Sequence, residues 1–343
     1  MKKMLGERTK LMKLMVMVMI LSMSAMIVGC TSNNSNTNDV TEEGLRKVTV
    51  VLDYVPNTNH TGIYAAKSLG YYEELGLDVE IIEPTDGVTN SLIAAGKGDF
   101  GISFQEDVTY ALTADEPLPI KAIAAIIQHN TSGFGTYAKK AIESPKDFEG
   151  KTYAGWGSPA EEAVIKAVME AEGAEFDKLN IIMADSVDYS MLKNDIDVMW
   201  LYWAWDGIAA QRNGVDINYM ELRELDERLD YYTPVIVANT KTLEEEPDMV
   251  RAFLEATAKG YNYAIENSDD AATILHDMVG TYDLEMLKES QAYLAGKYME
   301  DASKWGVMKD SVWDNYTEFM VEKGLIDEKI PASMCYTNEF LPQ

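Results

Sequence analysis

The sequence predicts an α/β protein of two lobes, each a mostly parallel sheet flanked by helices, joined by a hinge that the chain crosses twice. Three observations predict it. From Lys47 onward, apolar β-branched runs alternate with helical stretches, the pattern of a mostly parallel sheet covered by helices. A second run of the same alternation begins near "GKTYAGW". After Lys241 the chain becomes almost wholly helical, with no long Pro- or Gly-rich linker between the runs. The 343 residues, 47% hydrophobic and 25% charged, suit a soluble chain of two or three domains of roughly 150 residues each.

The N-terminus departs from this composition. Lys2, Lys3, Arg8, Lys10 and Lys13 precede the apolar run "LMVMVMILSMSAMIVG", which ends on Cys30. A basic start, a hydrophobic middle and small residues before a cut mark an export signal, and the run is shorter than the ~20 residues that span a bilayer. "IVGC" resembles the lipobox of bacterial lipoproteins, whose cysteine becomes the lipidated first residue of the mature chain. The polar tract "TSNNSNTNDVTEEG" is too poor in apolar residues to fold, so it reads as a tether. Residues 1–29 are therefore expected to be a signal peptide and residues 30–46 a flexible tether lipidated at Cys30. The folded part would hang from the membrane on its extracytoplasmic face.

In the first lobe, "KVTVVLDY" reads as a strand, "TGIYAAKSLGYYEEL" as helical and "LDVEIIEP" as a strand. "GVTNSLIAAGKG" (helix), "DFGISF" (strand), "EDVTYALTAD" (helix) and "PIKAIAAII" (strand) continue the alternation. The second lobe runs through "GKTYAGW", the helix "SPAEEAVIKAVMEAEG" and the strands "LNIIMA", "DVMWLYW" and "DINYMEL". "YYTPVIVANT" is a further strand. "IQHNTSGFGTYAKK" and "LDYYTPVIVANT" look like the two crossings, which places residues 47–132 and 238–343 in the first lobe and 133–237 in the second. In "MVRAFLEATAKGYNYAIEN", Val250, Phe253, Leu254, Thr257, Tyr261, Ala264 and Ile265 share one helical stripe, as core residues do.

Charge and cysteine content exclude several functions. The formal charge is -28, and it becomes -32 without the first 29 residues, which carry five basic residues and one acid. Such a surface repels nucleic acid and anionic lipid and favours neutral or cationic ligands. With Cys30 assigned to lipid, Cys335 has no intramolecular partner, and His60, His129 and His276 show no zinc spacing. Neither a catalytic metal nor a cofactor is expected. "GKGDFG" matches G-x-G-x-x-G, but it follows a helix and enters a strand, the reverse of the phosphate-binding order.

Three motifs suggest a ligand cleft. "LDYVPNTNHTGIY" gathers Asp53, Tyr54, Asn57, Asn59 and His60 after the first strand; an Asx-rich turn capping the next helix accounts for one or two of them. In "WGSPAEEAV", Ser158, Pro159 and Glu161 have the spacing of a capping box, and Gly157 and Ser158 also lie where α/β folds bring backbone close to a ligand. "WLYWAWDG" holds Trp200, Tyr202, Trp203, Trp205 and Asp206. Strand alternation sends some of these rings into the core, while Trp203 and Trp205 beyond the strand end are stacking candidates for a flat ligand. The candidate loops 53–64, 104–110, 128–137, 155–162 and 200–207 also bring in Gln105, Glu106, Asp107, Ser132 and Glu162 and contain no Lys or Arg. A neutral or basic heteroaromatic fits such loops better than a phosphate or sulfonate.

The blocks "LDYVPNTNHTGIYAAKSLGYY", "GDFGISFQE", "AAIIQHNTSGF", "SPKDFEGKTYAGWGSP", "YYTPVIVAN" and "GYNYAIEN" resemble the thiamin-precursor binding lipoproteins of ABC importers, within the group like the eukaryotic thiamin pyrimidine synthase. The resemblance runs from about Val48 past Trp313. It implies the two-lobed type II periplasmic-binding fold and a formylaminopyrimidine or hydroxymethylpyrimidine ligand. It also implies permease and ATPase partners and a monomeric, non-enzymatic protein. By that likeness Tyr54, Asn57, His60, Glu106, Trp203, Trp205 and Tyr232 line the cleft. The family's "GWDGIEA" is here "AWDGIAA", with Ala209 in place of the acid. The alternatives are a binding protein for a nitrate- or sulfonate-like anion or a riboflavin precursor, and a pyrimidine synthase whose histidine is consumed. The synthase's cysteine-rich block has no counterpart in "DYYTPVIVANT".

Overall fold

The computed structural model describes residues 40–41, 44–84, 89–184 and 188–343. The expected signal peptide, Cys30 and most of the expected tether lie outside the described residues. The strands are β1 (Arg46–Val51), β2 (Leu77–Ile82), β3 (Phe100–Ser103), β4 (Ile120–Ala125), β5 (Ser132–Tyr137), β6 (Thr152–Gly155), β7 (Asn180–Met183), β8 (Val198–Tyr202), β9 (Ile217–Glu221) and β10 (Val235–Asn239). They form two five-stranded sheets, ordered β2-β1-β3-β10-β4 and β7-β6-β8-β5-β9. The two sheets have one topology: β1 is parallel to β2 and β3 as β6 is to β7 and β8, and β10 and β5 are each inserted antiparallel between two neighbours. Each inserted strand is the one that follows a crossing.

Two boundaries differ from the sequence reading. Arg46, assigned to the tether, is the first residue of β1 and pairs with Glu246 at 3.2 Å. Val235, Ile236 and Val237, assigned to the second lobe, lie in the first-lobe sheet as part of β10. Six of the fourteen residues of "IQHNTSGFGTYAKK" form β5, an interior strand of the second sheet. Its glycines serve close packing: a Cβ on Gly133 would lie 2.3 Å from the Met220 carbonyl oxygen of the neighbouring strand.

Helices cover both sheets, among them α1 (Thr61–Ser68), α2 (Thr89–Ala94), α3 (Gln105–Thr113), α4 (Pro159–Ala171), α5 (Pro247–Glu266), α6 (Leu284–Ala295) and α7 (Asp310–Glu322). On α5 the predicted stripe is buried from Val250 to Ala264, with Ile265 at its partly exposed edge, and Phe253 stacks on Phe100 with ring centroids 3.8 Å apart. The second-lobe core joins Phe134, Phe148, Tyr153, Val164 and Val198 to Tyr316, Phe319 and Met320 of α7. Trp313, one turn earlier on α7, packs instead with Val51, Ile93 and Val108 of the first lobe. Helix α7 thus lies across both lobes. Among the described residues no helix is long and apolar enough to cross a membrane.

Candidate functional site

The turn after β1 satisfies most of its own polar groups. Asn57 caps the 3-10 turn Thr58–His60: its Oδ1 accepts from the Asn59 amide at 2.9 Å and its Nδ2 donates to the Val55 carbonyl at 3.0 Å. His60 is fully buried; its Nδ1 accepts from the Asn57 amide at 3.2 Å, which leaves Nε2 to donate to Asp53 Oδ1 at 2.7 Å. Local partners thus engage both ring nitrogens of His60 and one hydrogen-bonding position on each polar atom of half-buried Asn57. The two residues hold Asp53 and Tyr54 in place. Tyr54 is 64% exposed, an open aromatic face on a well-ordered turn.

At the end of β3, α3 begins with three polar residues that have different roles. Gln105 is buried, donating to the Val312 carbonyl at 3.1 Å and accepting from the Tyr232 amide at 3.0 Å, so it ties α3 to the second crossing and to α7. Glu106 accepts from the Tyr316 hydroxyl at 2.9 Å. Burial, with Asp107 and Glu161 nearby, raises its carboxyl to about 7 against the pull of that hydrogen bond. Burial and Asp53 raise Asp107 to about 6. Among the described residues, the charged groups that shift these two acids are themselves acids.

The crossings supply packing more than ligand contacts. Ser132 is buried, and both its amide and its hydroxyl donate to Asn130 Oδ1, at 2.9 and 2.7 Å. Tyr232, expected in the cleft, is buried in the first-lobe core, and its hydroxyl accepts from the Lys309 amide at 2.9 Å. Its neighbour Tyr231 lies nearer the acids: its ring centroid is 4.2 Å from that of Tyr316, and burial and Glu106 push its phenol well up.

From the second lobe, the loop between β6 and α4 is built around Glu161. The capping box of Ser158 and Glu161 is present, and buried Glu161 also accepts from the Tyr153 hydroxyl and the amides of Trp156 and Gly157. Gly157 has φ +75°, a conformation that other residues rarely adopt. This folding leaves Trp156 45% exposed, leaning on Trp200 at a centroid distance of 5.3 Å.

Beyond β8 the chain enters a π-helical turn, Trp203–Gly207, instead of an open loop. Asp206 folds back to accept from the Tyr202 amide at 2.9 Å, and burial raises its carboxyl to about 6. Trp203 sits against Tyr219, with ring centroids 4.8 Å apart. Trp205 meets Tyr282 of the first lobe edge-on at 5.0 Å, and the Ala204 carbonyl accepts from Ser290 on α6. The two tryptophans expected to stack on ligand thus have protein partners, Trp203 within its own lobe and Trp205 where the turn docks on the first, and both stay half-buried. Ala209 follows on a short helix and is partly exposed.

The structure brings Asp53, Glu106 and Asp107 of the first lobe to Tyr202 of the second, whose phenol is raised by burial and by these three acids. Tyr231 and Tyr316 stand beside these acids without having been singled out from sequence, and Trp156 is exposed on the loop that Glu161 holds. Trp156 stood in a quoted motif, but the capping box drew the reading past it. Tyr316 sits some 210 residues from Glu106, too far along the chain for any local pattern to pair the two. Among the described residues no group of three His, Cys, Asp or Glu could hold a metal ion.

Two lobes of identical topology with ligand-type residues at the facing strand ends define the fold of periplasmic binding proteins. Among solved structures, the alkanesulfonate-binding protein SsuA from Xanthomonas axonopodis pv. citri, bound to MOPS, matches with a TM-score of 0.64 at 10% identity, over 85% of this chain and 98% of that one. The chain belongs to the NMT1/THI5-like family, whose model matches residues 57–271. The formylaminopyrimidine-binding protein of Halalkalibacterium halodurans is 26% identical over 91% of this chain and 94% of its own length. The 4-amino-5-hydroxymethyl-2-methylpyrimidine phosphate synthase of Legionella pneumophila is 21% identical over 86% and 92%.

Proposed function

We propose that this protein is the extracytoplasmic solute-binding component of an ABC importer and captures an aminopyrimidine of the thiamin-precursor type, formylaminopyrimidine or hydroxymethylpyrimidine, between its lobes. The observation that carries this reading is Glu106, a half-buried carboxyl bonded to the Tyr316 hydroxyl and raised to about 7 by loss of solvent and by neighbouring acids. A protonated carboxyl offers one donor and one acceptor. The ring nitrogen and exocyclic amine of a 4-aminopyrimidine present the matching acceptor and donor. Tyr54 and Trp156, each exposed on its own lobe, are available to cover the flat ring. The name of the Halalkalibacterium relative agrees with this ligand class.

A sulfonate or nitrate would meet Asp53, Glu106 and Asp107 without a basic partner, which argues against the anion alternative. The synthase alternative requires an accessible histidine, and His60 has no exposed surface and both ring nitrogens engaged. Attachment to the membrane through Cys30 is part of the same proposal, and a Cys30→Ser protein leaving the membrane fraction would support it. The ligand reading is tested with Glu106→Ala and 4-amino-5-hydroxymethyl-2-methylpyrimidine. A buried pair left unmade costs about 1 to 3 kcal/mol of affinity, and unchanged affinity would refute the reading.

A further inference from the structure

We infer that Tyr316 is a positioning residue of the cleft: its hydroxyl, 2.9 Å from Glu106 Oε2, occupies that side of the carboxyl and turns Oε1 toward the ligand's ring nitrogen. The inference rests on the aminopyrimidine reading of Glu106 and adds a residue from outside the family-matched segment, which ends at residue 271.

The placement of Tyr316 follows from α7. Its N-terminal turn is fixed in the first lobe by Trp313 and by the bond from Gln105, the residue before Glu106, to the Val312 carbonyl. One turn on, Tyr316 is buried among second-lobe residues, its ring against Tyr231 at 4.2 Å and Phe319 at 5.9 Å. A phenol held on both sides in this way has little freedom, so its hydroxyl is a fixed donor. Glu106 is the acceptor available to it, and Tyr110, one turn further along α3, has a buried hydroxyl with no partner. The carboxyl therefore has one defined hydrogen bond on the protein side and a free oxygen on the other.

Two consequences follow from elementary acid–base chemistry. A donor on Oε2 stabilises the carboxylate, so Tyr316 holds Glu106 below the value that burial alone would give it. With Oε2 accepting from Tyr316, Oε1 is the oxygen left to carry the proton and donate to the ring nitrogen, while the second lone pair of Oε2 still accepts from the exocyclic amine.

The experiment is calorimetry of the full-length protein with 4-amino-5-hydroxymethyl-2-methylpyrimidine from pH 6 to pH 9, on wild type, Tyr316→Phe and Glu106→Gln. Wild type should lose affinity about tenfold between pH 6 and pH 8, as Glu106 gives up its proton near pH 7. Tyr316→Phe, with Oε1 no longer fixed toward the ligand, should bind about three- to tenfold more weakly at pH 6 and move the midpoint up by about one pH unit, leaving roughly a twofold loss over the same range. Glu106→Gln keeps a donor and an acceptor but cannot ionise, so its affinity should be flat with pH. A Tyr316→Phe midpoint equal to that of wild type, with Glu106→Gln flat, overturns the role of Tyr316 and leaves the aminopyrimidine reading standing. If Glu106→Gln keeps the wild-type pH dependence, the reading itself fails and the inference with it. Should Tyr316→Phe fold poorly, a fluorinated tyrosine at position 316, a stronger donor of nearly equal size, must move the midpoint down; an unmoved midpoint is again contrary.

Discussion

Replacing Glu106 by glutamine should make the empty protein more stable at pH 8 than wild type. The folded carboxyl is raised from 4.5 to about 7. Between these values the folded chain holds a proton that the unfolded chain has released, so stability falls as pH rises through this window and stays low above it. At ~1.4 kcal/mol per pH unit, the difference corresponds to about 3 kcal/mol at pH 8. The amide of the Glu106→Gln variant carries no charge and so escapes this penalty, while its weaker hydrogen bond from Tyr316 returns about 1 kcal/mol of the gain. The net expectation is a stabilisation of about 2 kcal/mol at pH 8, shrinking to under about 1 kcal/mol at pH 5, where wild-type Glu106 is protonated in the fold. Urea denaturation of both proteins at the two pH values measures it. A variant less stable than wild type at pH 8, or a difference that does not change with pH, would refute the reasoning, because either means that Glu106 is not held as a buried acid. On the proposed reading, Glu106 is a carboxyl that costs stability and is kept for binding.

Three further outcomes follow from the site. Asn57→Ala should lower the stability of the empty protein by about 1 to 2 kcal/mol, the effect of losing a helix cap, and thermal melting without ligand checks it; an unchanged melting temperature would mean that Asn57 is free to bind. Glu161→Ala should destabilise by more than about 2 kcal/mol, since it strands the Tyr153 hydroxyl and three amides of the Trp156–Ser158 loop. Trp156→Ala should leave melting nearly unchanged, because its ring is 45% exposed, yet weaken aminopyrimidine binding by about 1 to 3 kcal/mol. Calorimetry together with melting separates the two effects.

The fold was legible because its signals are local. Period-two and helical patterns depend on near neighbours, and from Lys47 on they put strands and helices in the right order. Where a glycine serves packing between strands, as at Gly133 in β5, the sequence showed a crossing between lobes but not the strand that follows it. The site was less legible for the same reason. Asn57, His60, Ser132 and Gln105 are polar residues at strand ends, and sequence cannot tell a side chain that reads a ligand from one that ties down its own turn. Their partners, such as Val55, Asn130 and Val312, are backbone or nearby atoms that leave no residue signature. Trp203 and Trp205 could be placed past the strand end from sequence, but not aimed: a π-helical turn sets them beside Tyr219 and Tyr282. Glu106 was legible as one acid among several, whereas its proton depends on Tyr316, some 210 residues away, and on burial that only the folded chain has.

The central claim is that the cleft reads a neutral aminopyrimidine edge through a protonated acid. Competitive calorimetry of the full-length protein at pH 6 and pH 8, with 4-amino-5-hydroxymethyl-2-methylpyrimidine against an alkanesulfonate, tests it most directly. The account predicts pyrimidine binding that is about tenfold tighter at pH 6 and no binding of the sulfonate at either pH. Sulfonate binding, or pyrimidine affinity equal at the two pH values, would contradict it.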